Sequence, residues 1–130
     1  MKRTKEDLIN YRIQKAYESL EEAKLLAGLN HWNTVVNRLY YSCFYIVNAL
    51  FSKHNLITKT HSGTKSEFHK LFIKTGTFDK SFGKLYSELL DKRQEGDYQD
   101  FFSFEKEDIE PLIEMTEKFI KIVEDNIKSQ

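Results

Sequence analysis

The stretch HWNTVVNRLYYSCFYIVNALFSKH, residues 31–54, decides the fold. It contains neither Gly nor Pro and is long enough for about six helical turns at roughly 3.6 residues per turn. Val36, Leu39, Cys43, Ile46 and Leu50 follow one another at steps of three and four, and Val35, Tyr40, Phe44, Val47 and Phe51 do the same with one step of five. A helix apolar over so much of its circumference belongs in the middle of a bundle. Within it runs a narrow polar line of Thr34, Asn37, Arg38, Tyr41, Tyr45 and Asn48, whose spacing puts them on one face. A charge on a helix otherwise built for burial needs partners, and those partners are the functional question the sequence poses.

On the N-terminal side, Thr4 is a predicted N-cap, with Glu6 and Asp7 in the first turn where the helix dipole favours acids. Ile9, Ile13, Ala16, Leu20, Ala23 and Ala27 then define one buried face, and Gly28 marks the end. The short link, with Asn30 as a candidate cap, predicts an antiparallel hairpin of the first two helices. Beyond His54, residues Asn55 to Thr64 have no sustained period and read as a loop. A shorter helix is predicted over Ser66 to Thr75, and another from Asp79 or Ser81 to Gly96. The connector DYQDFFSF carries four aromatic rings and is expected to fold back onto the bundle. The last helix is predicted from about Glu105 to Ile127, with Pro111 in its first turn or at a bend near Asp108. The expectation is an all-α, up-and-down bundle of four long helices plus one short one, forming a single domain over residues 1–130.

Lys and Arg total 20 and Asp and Glu total 20, so net charge is zero. That argues against a strongly cationic nucleic-acid binder while leaving room for a local basic patch. The single cysteine, Cys43, cannot form an internal disulfide and reads as a small apolar residue, as expected in a reducing cytoplasm. The start MKRTKEDLINYR lacks the apolar run of a signal peptide, and no stretch reaches the ~18 apolar residues of a membrane span. The predicted compartment is the cytoplasm.

Of the four histidines (31, 54, 61 and 69) no two share the i, i+4 spacing of a helical metal pair, so no metal site is expected. Neither a phosphate-binding Gly-rich loop nor a nucleophile elbow is present, and no cofactor is predicted. Two constellations remain: Asn37-Arg38-x-Tyr40-Tyr41 with Tyr45, and Arg93-Gln-Glu-Gly-Asp97-Tyr98. One reading makes Arg38 a part-buried cation neutralised by Asp97 or Asp100. The other makes the two arginines a phosphate clamp with tyrosines available to stack a base.

Asn37-Arg38-x-Tyr40-Tyr41-x-x-Phe44, then Thr60-His61-x-Gly63 with Phe68, then Leu90-x-x-Arg93-x-x-Gly96-Asp97-Tyr98, and a last helix bearing Phe119, resemble the HEPN (higher eukaryotes and prokaryotes nucleotide-binding) superfamily, in its small stand-alone prokaryotic branch. The resemblance covers about residues 8 to 127. It implies a helical bundle that dimerises, and a place in a toxin–antitoxin or phage-defence module beside a nucleotidyltransferase-like partner. It also implies binding of RNA or a nucleotide, with Asn37, Arg38, Tyr41, Tyr45, Arg93, Asp97 and Tyr98 as the binding residues. Many relatives are metal-independent ribonucleases with an Arg-x4–6-His signature. Here six residues after Arg38 lead to Tyr45 and four after Arg93 lead to Tyr98, so neither arginine has the histidine. Tyrosine titrates near pH ~10 and shuttles protons poorly at neutrality. If the chain is a nuclease, Arg38 or Arg93 stabilises the scissile phosphate, and a tyrosine or His61, brought in from the loop, is the candidate proton-transfer group. A third reading is a purely structural interaction domain.

Overall fold

A computed structural model describes residues 2–129 and contains helices α1 (Lys5–Gly28), α2 (Trp32–Lys53), α3 (His61–Phe68), α4 (Lys80–Tyr98) and α5 (Lys106–Lys128). A short π-helical segment, His69–Ile73, continues α3. No strand occurs among the described residues. The central helix is α2, which packs against α1, α4 and α5. Val35, Val36, Leu39, Tyr40, Cys43, Ile46, Val47 and Leu50 are all fully buried in it. Full burial of one large apolar side chain stabilises by about 1.5–3 kcal/mol, so α2 supplies a large share of the drive to fold. No helix among the described residues is long and apolar enough to cross a membrane.

Local chemistry explains most of the helix ends. Thr4 closes a capping box with Asp7: each side chain accepts from the other's backbone N–H, at 3.1 and 3.0 Å. Asn30 does not cap α2. It takes a left-handed conformation, φ 62°, and turns the chain between α1 and α2. Asp79 caps α4 by accepting from Ser81 N at 3.0 Å. In α5, Pro111 lies in the second turn rather than the first, and the helix continues across it.

Two further boundaries differ from those read in the sequence, and both turn on a glycine. The stretch Thr60–Thr64 is the start of α3, not a loop: Thr60 is its N-cap and its hydroxyl accepts from Gly63 N at 2.9 Å. A Cβ at Gly63 would lie 2.9 Å from that hydroxyl, so the residue that looks like a helix breaker is the one the cap requires. Likewise α4 runs through Gly96 to Tyr98, and the glycine serves packing there: the Phe104 ring lies over its backbone, with Cε2 3.2 Å from where a Cβ would stand.

The aromatic connector folds back in part. The Asn33 side chain holds it at two points, donating to Phe102 O and accepting from Phe104 N, both at 2.9 Å. Phe104 is buried and stacks edge-on with Phe102, but Phe101, at φ 60°, and Tyr98 stay exposed.

Candidate functional site

The N-terminal half of the α2 polar line meets α4 and α3 at one place. Tyr41 is its hub. The Arg38 guanidinium lies 5.3 Å from the centre of the Tyr41 ring, and the Arg93 guanidinium, reaching across from α4, lies 5.2 Å from the same ring. Arg93 is also 5.2 Å from the ring of Tyr40. Both cations thus sit at cation–π distance from one residue, an arrangement that holds like charges close while rings supply the compensating field.

The polar partners are few and loose. Asn37 Oδ1 accepts from Arg38 Nη2 at 2.8 Å and from Nε at 3.2 Å, while Asn37 Nδ2 reaches Asp97 at 3.4 Å. Asp97 lies 3.5 Å from Arg93 Nε, which is buried and makes no hydrogen bond of good geometry. Arg38 therefore does not pair with Asp97 or Asp100; its carboxylate is Glu22 of α1, at 3.4 Å. The chain Arg38–Asn37–Asp97–Arg93 orients the two guanidinium groups without saturating them, since each carries five donors. The Arg38 side chain keeps 29% of its exposure and Arg93 12%. The Arg38–Glu22 pair, at the surface, holds only about 0–1 kcal/mol.

The first turn of α3 brings His61 to the same cluster. Its Nδ1 lies 2.5 Å from the hydroxyl of Tyr40, and its ring stands 4.7 Å from that of Phe44 and 6.0 Å from that of Tyr41. Burial and then the Arg93 charge hold the His61 pKa below the usual imidazole value. Tyr40 is fully buried, and burial pushes its hydroxyl up to about 12, so it stays protonated. Behind it, the buried Tyr86 ring packs edge-on against Tyr40 at 5.8 Å.

Asn37, Arg38, Tyr41, Arg93, Asp97 and His61 are thus brought together. Tyr45 extends the aromatic run, its ring 6.3 Å from those of Tyr41 and Phe44. Tyr98 stands apart: it is 75% exposed and lines a shallow surface dish with Asp91, Gln94, Glu95 and Gln99. Glu22 was missed in the sequence, and Tyr40, though part of the Asn37-Arg38-x-Tyr40-Tyr41 constellation, was not counted among the site residues. Glu22 looks like any acid on the outer face of α1, and Tyr40 falls on the apolar spacing of α2, so its hydroxyl gave no signal. No group of three or more His, Cys, Asp or Glu able to hold a metal is found among the described residues.

Fold and site together define a helical bundle with a paired-arginine cluster on tyrosine rings between α2 and α4, called the notch from here on. A family model for the HEPN domain matches residues 9–126. The chain is 38% identical over 120 residues to a Thermotoga maritima protein named "UPF0332 protein", covering 92% of this chain and 91% of the relative. It is 37% identical over 101 residues to a Methanocaldococcus jannaschii protein named "Putative toxin MJ0142", covering 78% of this chain and 69% of the relative. A second protein of that archaeon, named "Putative toxin MJ0605", is 28% identical over 116 residues, or 89% of this chain and 86% of the relative. The chain belongs to the HEPN domain family.

Proposed function

We propose that this HEPN protein binds RNA or a nucleotide through its phosphate at the notch between α2 and α4, as one component of a toxin–antitoxin or phage-defence module. Arg38 and Arg93 grip the phosphate, Asn37 and Asp97 aim them, and Tyr41 with Tyr45 offers a surface for a base. The observation that carries this reading is the convergence of two guanidinium groups on the Tyr41 ring, with carboxylate contacts no closer than 3.4 Å. The names of the archaeal relatives support a toxin-like role. The reading includes a cytoplasmic homodimer and a nucleotidyltransferase-like protein partner.

Fluorescence anisotropy with a labelled single-stranded RNA, competed by a nucleoside monophosphate, tests it. Arg38→Ala lowers affinity about tenfold or more, the scale of a lost charge-assisted hydrogen bond, and leaves the Tm within a few degrees. Undiminished binding by both Arg38→Ala and Arg93→Ala removes the reading. A collapsed fold in Arg38→Ala, with Lys as a milder check, makes the cluster a structural network instead. Metal-independent cleavage of RNA is a second reading, favoured by one observation: α3 brings His61 to Tyr40, whose ring Arg93 also covers. Incubation of labelled RNA with the protein and chelator decides it, intact RNA dismissing the nuclease.

A further inference from the structure

A line of polar atoms leads from the core to this notch: the hydroxyl of Tyr86, the hydroxyl of Tyr40, and the imidazole of His61. Tyr86 is fully buried and its hydroxyl has no hydrogen bond of good geometry. Of the groups beside it, Tyr40 and Cys43, the tyrosine oxygen is the stronger acceptor. A buried hydroxyl hydrogen left without an acceptor is costly. The pattern that places every buried hydrogen runs one way. Tyr86 donates toward Tyr40, Tyr40 donates to His61 Nδ1, and the imidazole hydrogen is left on Nε2. In the opposite direction only the weakly accepting Cys43 sulfur is left for the Tyr86 hydrogen. His61 Nε2 has no partner among the described residues and is not among the buried unpaired atoms, so it is not sealed from water.

We propose that His61 is a third phosphate ligand of the notch, held by Tyr40 and Tyr86 in the tautomer that presents Nε2–H to the anion, and that phosphate binding is coupled to uptake of a proton at this ring. The proposal rests on the phosphate-binding reading above. The titratable groups facing His61 are Tyr40 and Tyr41 on α2 and Arg93 on α4. The nearby arginine disfavours a charged ring in the free protein. A bound phosphate offsets that charge and raises the proton affinity of His61, so by linkage the phosphate binds more tightly as pH falls. One coupled proton permits at most about a tenfold change per pH unit. The gain begins as pH drops through the raised value of the complex and levels off below the lowered value of the free protein. Tyr40 is a positioning residue in this scheme and touches no ligand.

Two measurements on the whole protein test it. The first needs no ligand: nitrogen-15 NMR of the His61 ring reports which nitrogen carries the hydrogen. Nε2–H is expected in the wild type, and a mixture of tautomers in Tyr40→Phe, which keeps the ring in the core. The second is binding of labelled RNA, and separately of dimethyl phosphate, a phosphodiester whose charge is constant over the range, between about pH 5.5 and 8. Wild type tightens several-fold on acidification. His61→Gln, which keeps a neutral N–H but cannot take up the proton, shows a flat profile. An Nδ1–H ring in the wild type, or a His61→Gln profile as steep as wild type, overturns the proposal. If Arg38→Ala and Arg93→Ala still lose binding in that event, the phosphate reading stands and the His61 role alone fails. If dimethyl phosphate and RNA do not bind at all, both fail together.

Discussion

The two ends of the α2 polar line treat their cations in opposite ways. At the C-terminal end, Arg12 of α1 donates to Ser52 Oγ at 2.5 Å and to Asn48 O at 3.4 Å, and Lys53 donates to the carbonyls of Asn126 and Ile127 at the end of α5. Asn48 and Ser52 turn inward on the helix backbone, Asn48 donating to Phe44 O and Ser52 to Asn48 O. These cations are absorbed by neutral oxygens and tie α1 and α5 to the central helix. At the other end Arg38 and Arg93 lie on tyrosine rings, with loose acids and spare donors. One stripe, even in its spacing, is stitching at one end and, in the proposed reading, an anion-binding site at the other. Periodicity reports which residues share a face; what the neighbouring helices offer them decides their use.

The comparison breaks most easily at the notch. Replacing Arg38 and Arg93 together with Ala is expected to reduce RNA affinity by about a hundredfold, since charge-assisted contacts are worth about 1.5–3 kcal/mol each. The same double change moves the Tm by only a few degrees in a thermal melt. At the stitched end the expectation reverses. Arg12→Ala leaves RNA affinity unchanged and costs about 1–2 kcal/mol of stability, roughly 2–8 °C in Tm for a chain of this size. A loss of affinity there would erase the distinction between the two ends.

A smaller effect belongs to pH and stability. His61 and His69 are both held below their usual value, chiefly by burial. An unfolded chain titrates these groups near ~6.5, so below that pH it binds protons that the folded protein resists. The stability these groups lend is present above about pH 6.5 and drains as pH falls through the lowered folded values. His61→Gln is therefore expected to lose less Tm than wild type between about pH 7 and 5.5. An equal or greater loss contradicts the assignment. The smallest change is expected at Tyr98, which lies outside the notch: Tyr98→Ala leaves RNA affinity within about twofold, under 0.5 kcal/mol, because an exposed side chain away from the site has little to lose.

The bundle was legible because α2 is wide in its apolar coverage and the other long helices show a single clean stripe. The cation pair was legible too, because an arginine in apolar surroundings is costly enough to stand out. Three things were not. The start of α3 was hidden because Gly63 signals a break locally while serving the Thr60 cap. The acid facing Arg38 was hidden because its partner, Glu22, comes from α1 and no local pattern marks it. Tyr98 was grouped with Arg93 by sequence proximity, but the helix continues through Gly96 and carries Tyr98 to a different face. Only the Glu22 miss involves a contact between elements, which spacing within one element cannot encode; the other two come from reading Gly63 and Gly96 as breaks.

The most direct test of the central claim is the salt dependence of RNA binding by wild type, Arg38→Ala and Arg93→Ala. If each arginine neutralises a phosphate, the slope of log affinity against log salt becomes shallower by about 0.7–1 for each arginine removed, with the fold intact. An unchanged slope in both variants, with a Tm that drops by many degrees, would show that these guanidinium groups brace the bundle and grip nothing.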